Sequence, residues 1–168
     1  MKARFRIALA AVALTLGPGG TLAAAEQPSI DQLAIESGVV AWVSAWNPGD
    51  KPFSLKKLQP LYRANVVTHA ADKTLRTWDE YASRLSPCVE QFVELTAKPA
   101  DELKVHFSDR RAEAAFVIHP TGKRRDGTAV TATSRVRLVW TKEGGLWRIA
   151  EQHINCTKDS DTSTVAAR

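Results

Sequence analysis

The sequence has 168 residues and a net charge of +5, and its length suggests one domain. Three of the basic residues lie within residues 1–25, which contain no acidic residue, so the rest of the chain carries only +2. This near balance argues against a nucleic-acid-binding domain, which would present a clearly basic surface.

The N-terminus has the three parts of a signal peptide. Basic residues within 1–6 precede an apolar run at 7–16, and alanines follow at 23–25. The apolar run is about half the roughly 20 residues that a membrane-spanning helix needs. We therefore predict cleavage after Ala25, no stable membrane anchor after cleavage, and export to the periplasm or the medium.

Two cysteines, Cys88 and Cys156, occur in the chain. An even number of cysteines in an oxidising compartment favours a disulfide, and the alternative is a pair of buried thiols. The sequence thus predicts a Cys88–Cys156 bridge.

Helical signals dominate the first half of the chain after the leader. Ser29 and Gln32 form a capping box that begins a helix running to about Trp46, where an Asn-Pro-Gly-Asp turn ends it. A short helix is predicted at 55–59. Thr77 caps a further helix, which Pro87 is expected to interrupt.

Strand signals dominate the second half. A β-branched run at 64–69 predicts the first strand, and alternation of apolar and polar residues predicts strands at 103–107, 112–119, 130–141 and 146–155. The spacing at 89–95 fits helix and strand equally. Helices followed by long antiparallel strands indicate an α+β domain, placed here at 26–157, with a disordered tail at 158–168.

Three stretches carry a family resemblance. They are the helix end at 46–50 with Leu61-Tyr62, the segment Thr77-Trp78-Asp79-Glu80-Tyr81, and residues 138–155, which contain Lys142, Gly144-Gly145, Trp147, Ile149 and His153. Together they resemble the nuclear-transport-factor-2-like superfamily, which includes the SnoaL-like and ketosteroid-isomerase-like proteins.

The resemblance implies a cone-shaped, cystatin-like roll. In such a fold the N-terminal helices pack on a strongly curved antiparallel sheet, and an apolar cavity opens at one end. The superfamily contains isomerases, cyclases and dehydratases as well as binding and dimerising modules. A fold shared by so many functions does not fix the function of this chain.

Catalytic candidates are few. In the isomerase-like members the base would fall at Ala70 and the carboxylic donor near Val136, and neither residue is acidic. His153, which matches the late histidine of the family ending, and Asp72 remain as candidate bases. The alternative for His153 is a histidine hydrogen-bonded within the sheet.

Ligand-binding candidates are mostly aromatic. They could line the cone and contact a flat apolar molecule, while the alternative is that they form the core. The predicted ligand-binding residues are Trp42, Trp46, Tyr62, Trp78, Tyr81 and His153. The four histidines are far apart in sequence, so no metal and no cofactor is predicted.

Three functions stay open at this point. The first is binding of a small apolar or aromatic molecule without turnover. The second is an acid–base isomerase, lyase or cyclase that uses His153 or Asp72. The third is a module that forms a homodimer through the sheet face carrying Arg135 and Arg137.

Overall fold

A computed structural model describes residues 29–47, 53–70 and 73–158. The predicted signal peptide, Asp72 and the predicted tail beyond residue 158 lie outside the described residues, and the domain limits stay a prediction. Within the described part of the chain, no helix is long and apolar enough to cross a membrane.

Two α-helices form where the capping residues predict them. Helix α1, Ile30–Ala45, begins after Ser29, whose hydroxyl accepts the Gln32 N–H at 3.1 Å. Two single 3₁₀ turns follow, at Leu55–Lys57 and Gln59–Leu61. Helix α2, Trp78–Glu90, begins after Thr77, whose hydroxyl accepts the Glu80 N–H.

Pro87 does not interrupt α2, and that prediction was wrong. Proline at this position lies in the last turn of the helix, so only one backbone hydrogen bond is lost before the helix ends at Glu90. Residues 89–95, whose spacing fitted helix and strand equally, include the end of α2 and become strand from Phe92.

Seven strands form one mixed sheet. In sheet order β2, β1, β7, β6, β5 and β3 are neighbours, and β4 also pairs with β5. Strand β1 runs parallel to β7, whereas the other described pairs are antiparallel. The sheet is therefore mixed, although the sequence had predicted an antiparallel one. The strands are β1 Tyr62–Ala70, β2 Lys73–Leu75, β3 Phe92–Pro99, β4 Lys104–Ser108, β5 Arg111–Arg124, β6 Ala129–Glu143 and β7 Leu146–Lys158.

The core lies between the helices and the inner face of the sheet. Gly38 of α1 sits against the indole of Trp140, and a Cβ atom at Gly38 would lie only 2.6 Å from Trp140 Cη2. The missing side chain lets helix and sheet approach closely. The fully buried core residues include Ile35, Val39, Trp42, Leu58, Val66, Ala114, Leu138 and Ile149.

A bulge in β7 decides which side chains face the core. Val139 pairs with Glu151 and Trp140 pairs with Ile149, so Ala150 has no partner in the register. Ile149 and Gln152 are therefore both completely buried, although they are three residues apart. The side chains of Glu151 and His153 go to the outer face instead.

The predicted disulfide is absent, and Cys88 and Cys156 are both free and exposed. Cys88 lies on α2, where its Sγ contacts the Arg84 carbonyl oxygen, and Cys156 lies on β7 with its Sγ 3.0 Å from Ser134 Oγ. The prediction was wrong because it used only cysteine count and compartment, which carry no information about whether two Cβ atoms come close enough to bridge.

Candidate functional site

A pocket of about 1140 Å³ borders the helices and the sheet, and the residues that line it come from both faces of the sheet. Outward-facing residues of β6 and β7 also border this space, although strand alternation directs their side chains to the other face. We therefore assign the pocket wall to the inward-facing residues. Those used below are Trp42, Trp46, Thr68, Tyr81, Phe116 and Gln152.

A short chain of buried hydrogen bonds crosses this mainly apolar interior. Trp42 Nε1 donates to the Tyr62 hydroxyl at 2.7 Å, and that hydroxyl donates to Gln152 Oε1. An indole N–H can only donate, so Tyr62 accepts there and its own proton is free for the Gln152 oxygen. The chain fixes the amide of Gln152 at the pocket wall.

Burial keeps the two tyrosines neutral. Burial raises the pKa of Tyr62 well above its ordinary value of 10.0, and it also raises the pKa of Tyr81. Both hydroxyl groups are therefore protonated throughout the physiological pH range. They can act as hydrogen-bond donors in the interior, and they are poorly suited to act as bases.

Three buried polar atoms at the wall make no well-aligned hydrogen bond among the described residues, although the Gln152 side chain also interacts with the Tyr81 hydroxyl and lowers its pKa against the larger effect of burial. They are Gln152 Nε2, Thr68 Oγ1 and Trp46 Nε1. Gln152 is 0% exposed and Thr68 is 4% exposed. Two of the three atoms can only donate, and a buried donor without a partner is costly. The wall is therefore suited to a ligand that brings a hydrogen-bond acceptor.

The structure places the predicted ligand-binding residues unequally. Trp42, Trp46, Tyr81 and His153 border the pocket. Tyr62 and Trp78 lie behind the wall, with their ring centroids 5.0 Å apart. They support the pocket residues and do not line the cavity.

His153, the candidate base, lies on the outer face within a cluster of charged side chains. Its Nε2 is 2.5 Å from Glu151 Oε1 and 2.6 Å from Arg137 Nη2. Its ring stacks on that of His69, with centroids 4.1 Å apart and planes 7° apart. His153 therefore borders the cavity from the face opposite to Gln152.

Glu151 is the hub of this outer cluster. Hydrogen bonding to His153 and the nearby charges of Arg111 and Arg137 hold its pKa below the ordinary value of 4.5, against the opposing effect of burial. A carboxyl whose pKa is lowered on folding stabilises the fold above its unfolded pKa, and this contribution is lost as the pH falls through the folded pKa. Glu151 is thus ionised at neutral pH.

Sequence reasoning missed Gln152, Thr68 and Glu151. Thr68 belongs to a β-branched run that only signals a strand, and simple alternation from Ile149 would direct Glu151 inward and Gln152 outward. The histidines are far apart in sequence, and no metal was predicted for that reason. This separation does not keep His69 and His153 apart in the structure, because they pair directly across the β1–β7 ladder.

Solved structures with the same fold share little sequence with this chain. A nuclear-transport-factor-2-like superfamily protein from Salmonella enterica is 21% identical with a TM-score of 0.62, and the match covers 80% of this chain and 94% of that one. A protein with a cystatin-like fold from Caulobacter vibrioides is 16% identical with a TM-score of 0.60, covering 74% and 87%.

A third neighbour has a named activity. It is a hexachlorocyclohexane dehydrochlorinase from Novosphingobium barchaimii, 10% identical with a TM-score of 0.67, and the match covers 82% of this chain and 97% of that one. No protein-family model matches the sequence, and a search of curated protein sequences finds no match. The similarity thus lies in the path of the backbone: the chain has the α+β cone fold of the nuclear-transport-factor-2-like superfamily.

Proposed function

We propose that the protein binds a small, mainly apolar molecule that carries one hydrogen-bond acceptor, with the apolar part in the cone and the acceptor at Gln152 and Thr68. The observation that carries this proposal is the set of buried, unpartnered polar atoms on an otherwise apolar pocket wall.

The wall favours a flat ligand. Trp42 and Trp46 pack 5.6 Å apart at 58°, and Phe116 meets Trp42 edge-on at 5.7 Å. Such surfaces offer faces and edges to an aromatic ring at little cost in conformational entropy, because each of these side chains has only two torsions. The ligand class is therefore an aromatic or polycyclic ketone, ester or similar acceptor.

A matched pair of probes tests the acceptor. We expect 2-acetylnaphthalene to bind more tightly than 2-ethylnaphthalene by about 3- to 10-fold, because one hydrogen bond contributes about 1 kcal/mol. Quenching of tryptophan fluorescence reports both affinities. In Gln152→Leu, the preference for the ketone should disappear while the hydrocarbon still binds.

Trp147→Phe is the matched control, since Trp147 is not part of the pocket wall and should leave both affinities unchanged. Equal affinities for ketone and hydrocarbon in the unmodified chain, or an unchanged preference for the ketone in Gln152→Leu, would contradict the acceptor site. Absence of fluorescence quenching by both probes in the unmodified chain would contradict the pocket.

The acid–base alternative is less well supported. Its two candidate residues are Asp72, which lies outside the described residues, and His153, whose side chain lies on the outer face. A base must reach the proton that it abstracts, within hydrogen-bond distance or through one water. An inward-directed ligand at Gln152 is separated from His153 by the strand itself, which favours binding without turnover.

We further propose that the chain is exported and forms a homodimer through the outer sheet face, around Arg135 and Arg137. Native mass spectrometry of protein from the exported fraction tests both. We expect twice the mass of residues 26–168, and a single-chain mass after denaturation that fits cleavage after Ala25. A monomer at high concentration would refute the dimer, and an uncleaved N-terminus would refute the cleavage site. If the native mass exceeds the mass of two chains, the difference is the mass of a retained ligand.

A further inference from the structure

Three potential metal ligands converge on the outer face of the sheet. His69 Nε2 lies 3.5 Å from Glu151 Oε1, His153 Nε2 lies 2.5 Å from the same oxygen, and all three atoms are within 4.8 Å of one another. All three residues are partly buried. The cluster side chains lie on the outer face of the sheet and the proposed ligand wall faces inward, although His69 and His153 border the same pocket.

The β1–β7 ladder produces this convergence. His69 and His153 are direct partners in the parallel register, and Glu151 pairs with Val67 one step earlier on the same face. Side chains two positions apart on a strand lie on the same side of the sheet. The two imidazoles stack nearly parallel, so both present their Nε2 atoms toward the carboxylate between the strands. The three residues lie in the paired part of β1 and β7 that follows the irregularity between Tyr62 and Val67 and the bulge at Ala150.

We propose that His69, Glu151 and His153 form a binding site for a divalent transition-metal ion such as Zn²⁺. Two imidazole nitrogens and one carboxylate oxygen match the ligand preference of this class of ion. Three protein ligands also leave a coordination position for water or an exogenous group. Glu151 Oε2 lies 3.5 Å from Arg111 Nη2, which orients the carboxylate from the second oxygen.

Arg137 competes with the metal. Its Nη2 is 2.6 Å from His153 Nε2, the atom that would coordinate the ion, and 3.7 Å from Glu151 Oε1. Arg137 also has a second partner, because its Nη1 lies 3.3 Å from Glu113 Oε2. Metal binding therefore requires the guanidinium to leave His153, and Glu113 keeps it paired when it does. The free energy needed to move the Arg137 guanidinium away from His153 therefore lowers the affinity of the site for the metal ion.

Zinc titration of the untagged chain tests the site. Isothermal titration calorimetry with ZnCl₂ at neutral pH should show one ion per chain. His69→Ala and His153→Ala should each weaken zinc binding by more than about tenfold. Mutation of residues that only support the metal ligands already costs about that much, and these variants remove a ligand itself. His119→Ala is the matched control, since His119 is exposed on β5, where its Nδ1 lies 3.2 Å from Thr133 Oγ1, and it is not one of the three converging residues. It should bind zinc as the starting chain does.

Arg137→Gln gives a test with the opposite sign. It removes the competing cation and should tighten zinc binding, which a loss of folding cannot imitate. The visible absorption of bound Co²⁺ should change in His69→Ala and stay unchanged in His119→Ala. Failure of the starting chain to bind zinc at about 1 mM, or equal affinity in both histidine variants and the starting chain, would overturn the site.

Discussion

Replacing Trp140 by alanine is expected to lower the free energy of unfolding by about 3–5 kcal/mol, the range for deleting a large buried aromatic side chain. Trp140 is 1% exposed and belongs to the cluster that joins β6 to α1. Its ring fills the space that Gly38 leaves open, so truncation leaves a cavity that rigid elements on both sides cannot collapse. Chemical denaturation monitored by far-ultraviolet circular dichroism measures the change.

Gly38→Ala tests the same contact between α1 and Trp140 from the side of the helix. Alanine is better than glycine in a helix by about 1 kcal/mol, yet the added Cβ would meet the Trp140 ring at 2.6 Å. Overpacking typically costs about 1–3 kcal/mol, so we expect a net loss of stability. A Trp140→Phe background replaces the indole by a shorter phenyl ring and removes the distal indole atoms that the new Cβ would meet, so Gly38→Ala should become neutral or stabilising there. Additive effects of the two substitutions would contradict the contact.

Local signals correctly predicted the elements whose ends are set by local chemistry. The hydroxyl at Ser29 satisfies an N–H group at the start of α1, and this requires no tertiary information. Gly144 and Gly145 have φ values of 55° and 83°, which explains why these glycines join β6 to β7. The alternation along β6 predicted its buried face, since Leu138 and Trp140 are both fully buried.

Long-range pairing could not be predicted in this way. Nothing in the run at 64–69 shows that β1 pairs in parallel with β7, the last strand in the chain. The bulge at Ala150 has no local signal either, because alanine suits both regular and bulged strands. The bulge shifts the facing of the residues after it by one position, so simple alternation from Ile149 would direct Gln152 outward, whereas it is buried in the structure.

The aromatic part of the site was more predictable than its polar part. Trp42, Trp46 and Tyr81 were identified as wall residues because large aromatic side chains in a small domain must be buried, whichever strand order is adopted. A buried glutamine gives no such signal, since glutamine is mostly exposed. Its role depends on Tyr62, which lies 90 positions earlier in the chain.

Tyr62→Phe is expected to lower the free energy of unfolding by about 2–3 kcal/mol, because it leaves the Trp42 N–H without a partner and removes one donor from Gln152 Oε1. The ring remains, so its packing against Trp78 and Tyr81 should be preserved. Urea denaturation compares the variant with the starting chain, and an unchanged midpoint would contradict the chain of hydrogen bonds.

A double-mutant cycle with Trp42→Phe separates this loss from general packing effects. In the Trp42→Phe background no indole donor remains to be stranded, so Tyr62→Phe should cost less by about 1 kcal/mol or more. The same cycle connects stability to binding. Since Tyr62 holds the Gln152 oxygen, it also aims the amide nitrogen at the cavity, and Tyr62→Phe should weaken the preference for 2-acetylnaphthalene although its own side chain does not line the pocket.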